Sequence, residues 1–137
     1  KALETPSTGV REQEETYSTD EGSVLFSHEE LNAYQKALEF MHWFVTLEEK
    51  RNIDSRLSGK LDKEATSVIL NIAEGNGRYS TKDRKTFLRT AEKAVVKCAA
   101  RLDVALRRGQ LTQKEVQPGK RHLLSATNLL IALTDSI

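Results

Sequence analysis

The sequence predicts an all-α protein, an antiparallel up-and-down four-helix bundle. Three observations carry this. Four segments repeat apolar residues at alternating steps of three and four, the period of a helix with one buried face. Short runs of turn residues separate them, which folds each helix back along the one before. No segment alternates with the period of two that a half-buried strand requires.

The first helix is expected to begin near Ser27, because Ser27 and Glu30 have capping-box spacing. Leu31, Tyr34, Leu38, Met41 and Val45 then recur on one face. A second apolar set, Phe40, Trp43, Phe44 and Leu47, shares the helix. A monomeric bundle needs one buried stripe per helix. The second set is therefore assigned to a subunit interface, where aromatic side chains concentrate binding energy.

Asn52, Asp54, Ser55, Ser58 and Gly59 mark a connection. The second helix places Leu61, Ala65, Val68, Ile69 and Ile72 inward, and Gly75 is expected to end it as a left-handed cap. Asn71, beside that stripe, is expected to bond backbone in a neighbouring link. Glu74 lies in the last turn, where a carboxylate opposes the helix dipole; Arg78 across the turn is its expected clamp.

Ser80 and Asp83 cap the third helix, and Leu88, Ala91, Val95, Cys98, Leu102 and Ala105 form an unbroken seam. Small residues in that seam allow a neighbour to approach closely. Arg107 and Arg108 suit the negative end of the helix, and Gly109 stops it. Thr112 and Glu115 again have capping-box spacing, but Pro118 follows. A short turn over 112–117 is expected, with the main helix starting at Pro118 and burying Leu123, Ala126, Leu130, Leu133 and Ile137.

At 137 residues the chain suits one domain, and its single cysteine excludes an internal disulfide framework. No apolar run reaches the ~18 residues of a membrane span. With no secretion signal opening the chain, these features predict a cytoplasmic protein. Charge divides it in two. Residues 1–26 hold two basic and six acidic groups, for a net charge of −4, while the rest hold 19 basic and 14 acidic groups, for +5. An acidic irregular extension over 1–26 joined to a bundle domain over 27–137 follows.

Catalytic chemistry finds no support. His28, His42 and His122 lack metal-ligand spacing, and a lone thiol at a seam position suits neither zinc nor nucleophilic catalysis. Gly75-Asn76-Gly77-Arg78 follows a helix rather than a strand and lacks the third glycine of a nucleotide fingerprint. No enzyme activity, metal or cofactor is expected. The positive signal is basic. Lys85, Arg89, Lys93, Lys97 and Arg101 succeed one another at steps of four, each about 40° beyond a full turn. From Arg78 to Arg108 there are ten basic and three acidic residues. Phosphates attract such a ridge by counterion release. Arg78, Lys85, Arg89, Lys93, Lys97 and Arg101 are the candidate nucleic-acid contacts.

The run Ser67-Val68-Ile69-Leu70-Asn71-Ile72-Ala73-Glu74-Gly75-Asn76-Gly77-Arg78 resembles the signature of the bacterial four-helix-bundle family named for 23S rRNA intervening sequences. Asp83-Arg84-Lys85-Thr86-Phe87-Leu88 with Ala91 and Cys98-Ala99-Ala100-Arg101-Leu102-Asp103 is similar to its third helix, and Leu31-Asn32-Ala33-Tyr34-Gln35-Lys36-Ala37-Leu38 to its first. The resemblance covers about residues 26–137. It implies a bundle that assembles into a ring-shaped homo-oligomer, often a pentamer. By analogy with a related basic pentamer, the accessory protein of diversity-generating retroelements, it also points to nucleic acid. Where members tend to carry Gly-Ser and then Glu in the third helix, this chain carries Lys93-Ala94 and Lys97. That change makes the helix more basic. The sequence thus predicts a non-catalytic oligomer binding RNA or DNA through its third helix. The alternative is a protein adaptor whose first-helix aromatics hold a protein partner.

Overall fold

The computed structural model describes residues 25–137. The acidic extension assigned to residues 1–26 lies, apart from Leu25 and Phe26, outside them. A 3-10 turn, Ser27–Glu30, precedes four helices: α1, Asn32–Lys50; α2, Ser55–Asn76; α3, Thr81–Arg107; and α4, Gln113–Asp135. No strand occurs among the described residues. Each helix packs against its sequence neighbours, and α1 also packs against α4. The pairs run antiparallel. Arg51 after α1 grips Glu115 at the start of α4, and Glu64 early in α2 meets Arg101 late in α3.

The entry to α1 differs from expectation. Ser27 opens a 3-10 turn rather than the helix, and the capping carboxylate is Glu29, not Glu30. Glu29 accepts from the backbone N–H groups of Leu25 and Phe26 at 3.3 and 3.1 Å. Ser27 Oγ instead accepts from Asn76 Nδ2 at 2.9 Å, tying the turn to the end of α2. Leu31, in extended conformation, separates turn from helix.

The inward face of α1 is also corrected. Ala33, Ala37, Phe40, Phe44 and Leu47 are buried, in steps of 4-3-4-3, while Leu38 and Val45 are exposed. Phe40, Phe44 and Leu47, assigned above to a subunit interface, therefore fill this chain's own core. The two alanines explain the choice of face: they let α1 approach its neighbours, which the bulkier Leu38 series does not. Trp43 is half-buried against the core.

α2 starts earlier than the turn residues suggested. Asp54 caps it, accepting from Leu57 N–H at 3.2 Å, so Ser55, Ser58 and Gly59 lie within the helix and only residues 51–54 form the link. Gly75 is not a left-handed cap. It is buried inside α2, and the helix ends at Gly77 with ordinary right-handed φ of −86°. A Cβ at Gly75 would lie 3.0 Å from Phe87 Cβ and 3.3 Å from the Arg84 carbonyl oxygen. Close packing of α2 on α3 requires the glycine.

In α3 the expected boundaries hold. Ser80 Oγ accepts from Asp83 N–H at 3.0 Å, the Leu88–Ala105 seam is buried, and Gly109 turns left-handed at φ 76°. α4 runs through Pro118 instead of starting there. Proline removes the bond to the carbonyl of Lys114, an exposed residue whose carbonyl water can reach. The turn before it is held from three sides. Thr112 and Glu115 form the reciprocal capping box, at 3.1 and 2.9 Å. Val116 is buried. Arg51 Nη1 donates to both Glu115 oxygens at 2.7 and 2.8 Å, and its Nη2 to the Gln110 carbonyl at 2.7 Å. Arg51 holds the Glu115 carboxyl below its ordinary pKa, helped by the Thr112 backbone N–H.

A Cβ added at Gly119 would fall within 3.0 Å of three atoms of the Trp43 ring. Gly119→Ala should therefore destabilise the fold, because overpacking of ~1–3 kcal/mol outweighs the ~1 kcal/mol of helix propensity gained. In a Trp43→Leu background the same change should stabilise, by up to ~1 kcal/mol. Urea denaturation of the four proteins checks this; the same sign in both backgrounds would contradict the packing.

Candidate nucleic-acid interface

The seam of α3 sets where its cations point. With Leu88, Ala91, Val95, Cys98, Leu102 and Ala105 turned inward, residues 89, 93 and 97 face solvent and Lys85 is half-buried. Lys85, Arg89, Lys93 and Lys97 have no ion pair or side-chain hydrogen bond among the described residues. The two ends of the predicted ridge behave differently. Arg101 Nε and Nη2 donate to the Glu64 carboxylate at 2.6 and 3.0 Å. Arg78 Nη2 donates to Glu74 at 2.5 Å, and its guanidinium lies 4.7 Å from the Phe87 ring centroid. Arg78 thus closes the α2–α3 corner as the clamp expected for Glu74.

Two of the three acidic residues on α3 turn away from that ridge. Asp103 pairs with Lys120 of α4. Glu92 accepts from the Thr134 hydroxyl at 3.4 Å, also on α4. Both carboxylates therefore engage the α4 side of the helix, while Lys97 and Arg101 wind toward α2.

At Arg101 the basic surface continues into a cleft that the sequence reading missed. The first turns of α2 and the last of α3 enclose about 210 Å³. Arg56, Lys60, Arg101 and Arg108 line it, with Leu57 and Val104 as apolar wall and Asp54 as the one carboxylate. A sequence signal existed: Arg56, Lys60 and Glu64 follow at steps of four on one face of α2. It becomes legible only once Glu64 is paired with Arg101.

Other candidates separate. Asn71 Nδ2 donates to the carbonyl and hydroxyl of Ser67, at 2.8 and 3.1 Å, within its own helix and not to a neighbouring link. The short hydroxyl of Ser67 and its carbonyl, one turn back, put the local partner within reach. Trp43 lines an α1–α4 groove of about 580 Å³ with Leu38, His42 and His122. The fold thus brings together two histidines far apart in sequence, and His122 Nδ1 lies 3.5 Å from Glu39. Among the described residues no three His, Cys, Asp or Glu side chains are placed to hold a metal ion. No described helix is long and apolar enough to cross a membrane.

A family model described as 23S rRNA-intervening sequence protein matches residues 29–132, which takes in α1 to α3 and nearly all of α4. No curated protein matches the chain.

Cys98 lies at the centre of the seam, fully buried. Burial pushes its thiol from an ordinary 9.0 up to about 12; the Glu64 carboxylate adds to the rise and Arg101 opposes it. A thiol raised in this way contributes stability below the unfolded pKa and loses it as pH rises toward the folded one. Stability should therefore hold up to about pH 9.0 and fall between there and about 12. The fall should be shallower in Cys98→Ala, followed by urea denaturation across that range. A disulfide reagent that labels native Cys98 as fast as the denatured thiol would contradict the burial.

Proposed function

The chain belongs to the family of 23S rRNA-intervening sequence proteins, and we propose that it is a non-catalytic helical bundle that binds RNA through the outer face of α3. One observation carries this reading: Lys85, Arg89, Lys93 and Lys97 stand at successive steps of four along α3 with no partner among the described residues. Over twelve residues they extend about 18 Å along the axis while turning by about 120°. Like charges at i,i+4 repel mildly, so the row costs stability unless something anionic meets it. A nucleic-acid backbone supplies phosphates in a row and releases counterions on binding. Nothing in this arrangement reads bases, so affinity depends on phosphate density rather than sequence. The family's name makes ribosomal RNA the first probe.

Self-association into a ring belongs to the same proposal. Leu38 and Val45 on α1, and Leu124 and Ile131 on α4, expose apolar surface that contacts between copies would cover. Phe40 and Phe44 take no part in it. Light scattering that finds only monomers at micromolar concentration would remove the ring.

The binding test is a salt titration of a labelled rRNA fragment. Four cations neutralising phosphates give a slope of log K against log salt of roughly −3. Changing Lys85, Arg89, Lys93 and Lys97 together to Gln should flatten that slope and leave the helical circular dichroism intact. No binding at low salt, or an unchanged slope in the variant, would discard the reading.

A further inference from the structure

The cleft at the α2–α3 end has features that the outer ridge lacks. Its lining is concave and its charge is one-sided. Arg56, Lys60, Arg101 and Arg108 converge on about 210 Å³, against Asp54 alone. Asp54 is already engaged as the α2 cap through Leu57 N–H. The side chains of Arg56, Lys60 and Arg108 have no ion pair or hydrogen bond among the described residues. Three free cations around one concavity repel each other, and an anion of charge −2 relieves that repulsion.

Arg101 adds a fixed element. Glu64 grips its Nε and Nη2, so the guanidinium plane is held while Nη1 has no partner among the described residues. A guanidinium positioned before the ligand arrives loses less freedom on binding. Size then limits the ligand. Pockets for whole small molecules run from roughly 300 to 1,000 Å³. This cleft admits a charged group and leaves the sugar and base outside, over the exposed Val104.

Position links the cleft to the ridge. Lys97, Arg101, Val104 and Arg108 follow at steps of 4-3-4, so they share one face of α3. A strand lying on Lys93 and Lys97 leads directly into the cleft. Internal phosphodiesters carry one negative charge, whereas a terminal phosphomonoester approaches two near neutral pH, as a phosphorylated side chain does. The doubly charged group is the better match for three free cations beside the pre-paired Arg101.

We propose that this cleft binds a phosphomonoester, namely the terminal phosphate of an RNA strand whose following phosphates lie on α3. The RNA part rests on the function proposed above; the phosphate chemistry of the cleft does not. RNAs of one sequence, with and without a terminal phosphate, separate these. Both the 5′- and 3′-phosphorylated forms are compared with the unphosphorylated strand on the full chain. One of them should bind about tenfold more tightly, the worth of one charge-assisted hydrogen bond. Changing Arg56, Lys60 and Arg108 to Gln should abolish that preference. These three side chains are exposed, so the fold should persist in the variant. Changing Lys93 and Lys97 to Gln should weaken all the strands and keep the preference. Inorganic phosphate, at constant ionic strength, should raise the melting temperature of the wild-type chain and not of the Arg56, Lys60, Arg108 variant. That shift without binding of any RNA would assign the cleft to a small phosphorylated compound and overturn its RNA role. Equal affinity for all the strands, with no shift from inorganic phosphate, would overturn the cleft as a phosphate site and leave the ridge untouched.

Discussion

The small-residue seam of α3 governs what the rest of the molecule presents. Ala91, Ala94, Cys98 and Ala105 let neighbouring backbones come close, and Leu88, Val95 and Leu102 fill the space between them. A seam of this kind fixes the rotation of the helix about its own axis. Slipping it by one residue would swing every side chain by 100° and bury lysines. The direction of Arg89, Lys93 and Lys97 is therefore a consequence of core packing. Gly75 serves the same requirement from the α2 side, since a methyl there would press on Phe87 and on the Arg84 carbonyl.

Electrostatics then sorts the cations into two kinds. Arg51 and Arg78 each close a corner of the bundle, on Glu115 and Glu74, while Arg101 on Glu64 bridges the bodies of α3 and α2. All three are arginines, whose planar fork suits a carboxylate better than an ammonium does. Pairs this exposed add little to stability one by one. Their value lies in register, because two tie a helix end to a defined turn and the third ties α2 to α3 along their length. The cations left without partners include the lysines of α3, whose flexible ammonium groups suit mobile contact with phosphates.

Much of this was legible from residue order. The α3 seam, its Ser80 start and its Gly109 stop could be read directly, because period, cap and breaker all agreed. α1 was ambiguous for a physical reason: it carries two apolar series, and aromatic bulk on one of them resembled an interface. Extending the Phe40–Phe44 series backward to Ala37 and Ala33 identifies the core, since small residues on a helix face mark close approach. Pro118 misled because its cost is local, whereas the Arg51–Glu115 clamp that secures the turn before it spans 64 residues. Gly75 misled similarly, being required by Phe87 of another helix. The Arg56–Lys60–Arg108 cleft exists only after α2 and α3 are paired, so the local Arg56–Lys60 spacing held half of it and could not be read alone.

The central claim is that α3's unpartnered cations form the surface that meets RNA. Lysine acetylation with a water-soluble ester, read by mass spectrometry with and without bound rRNA fragment, tests it at individual side chains. The account predicts strong protection of Lys85, Lys93 and Lys97, with Lys36 on α1 and Lys114 on α4 modified at unchanged rates. Protection spread evenly over all lysines, or confined to α1 and α4, would contradict it.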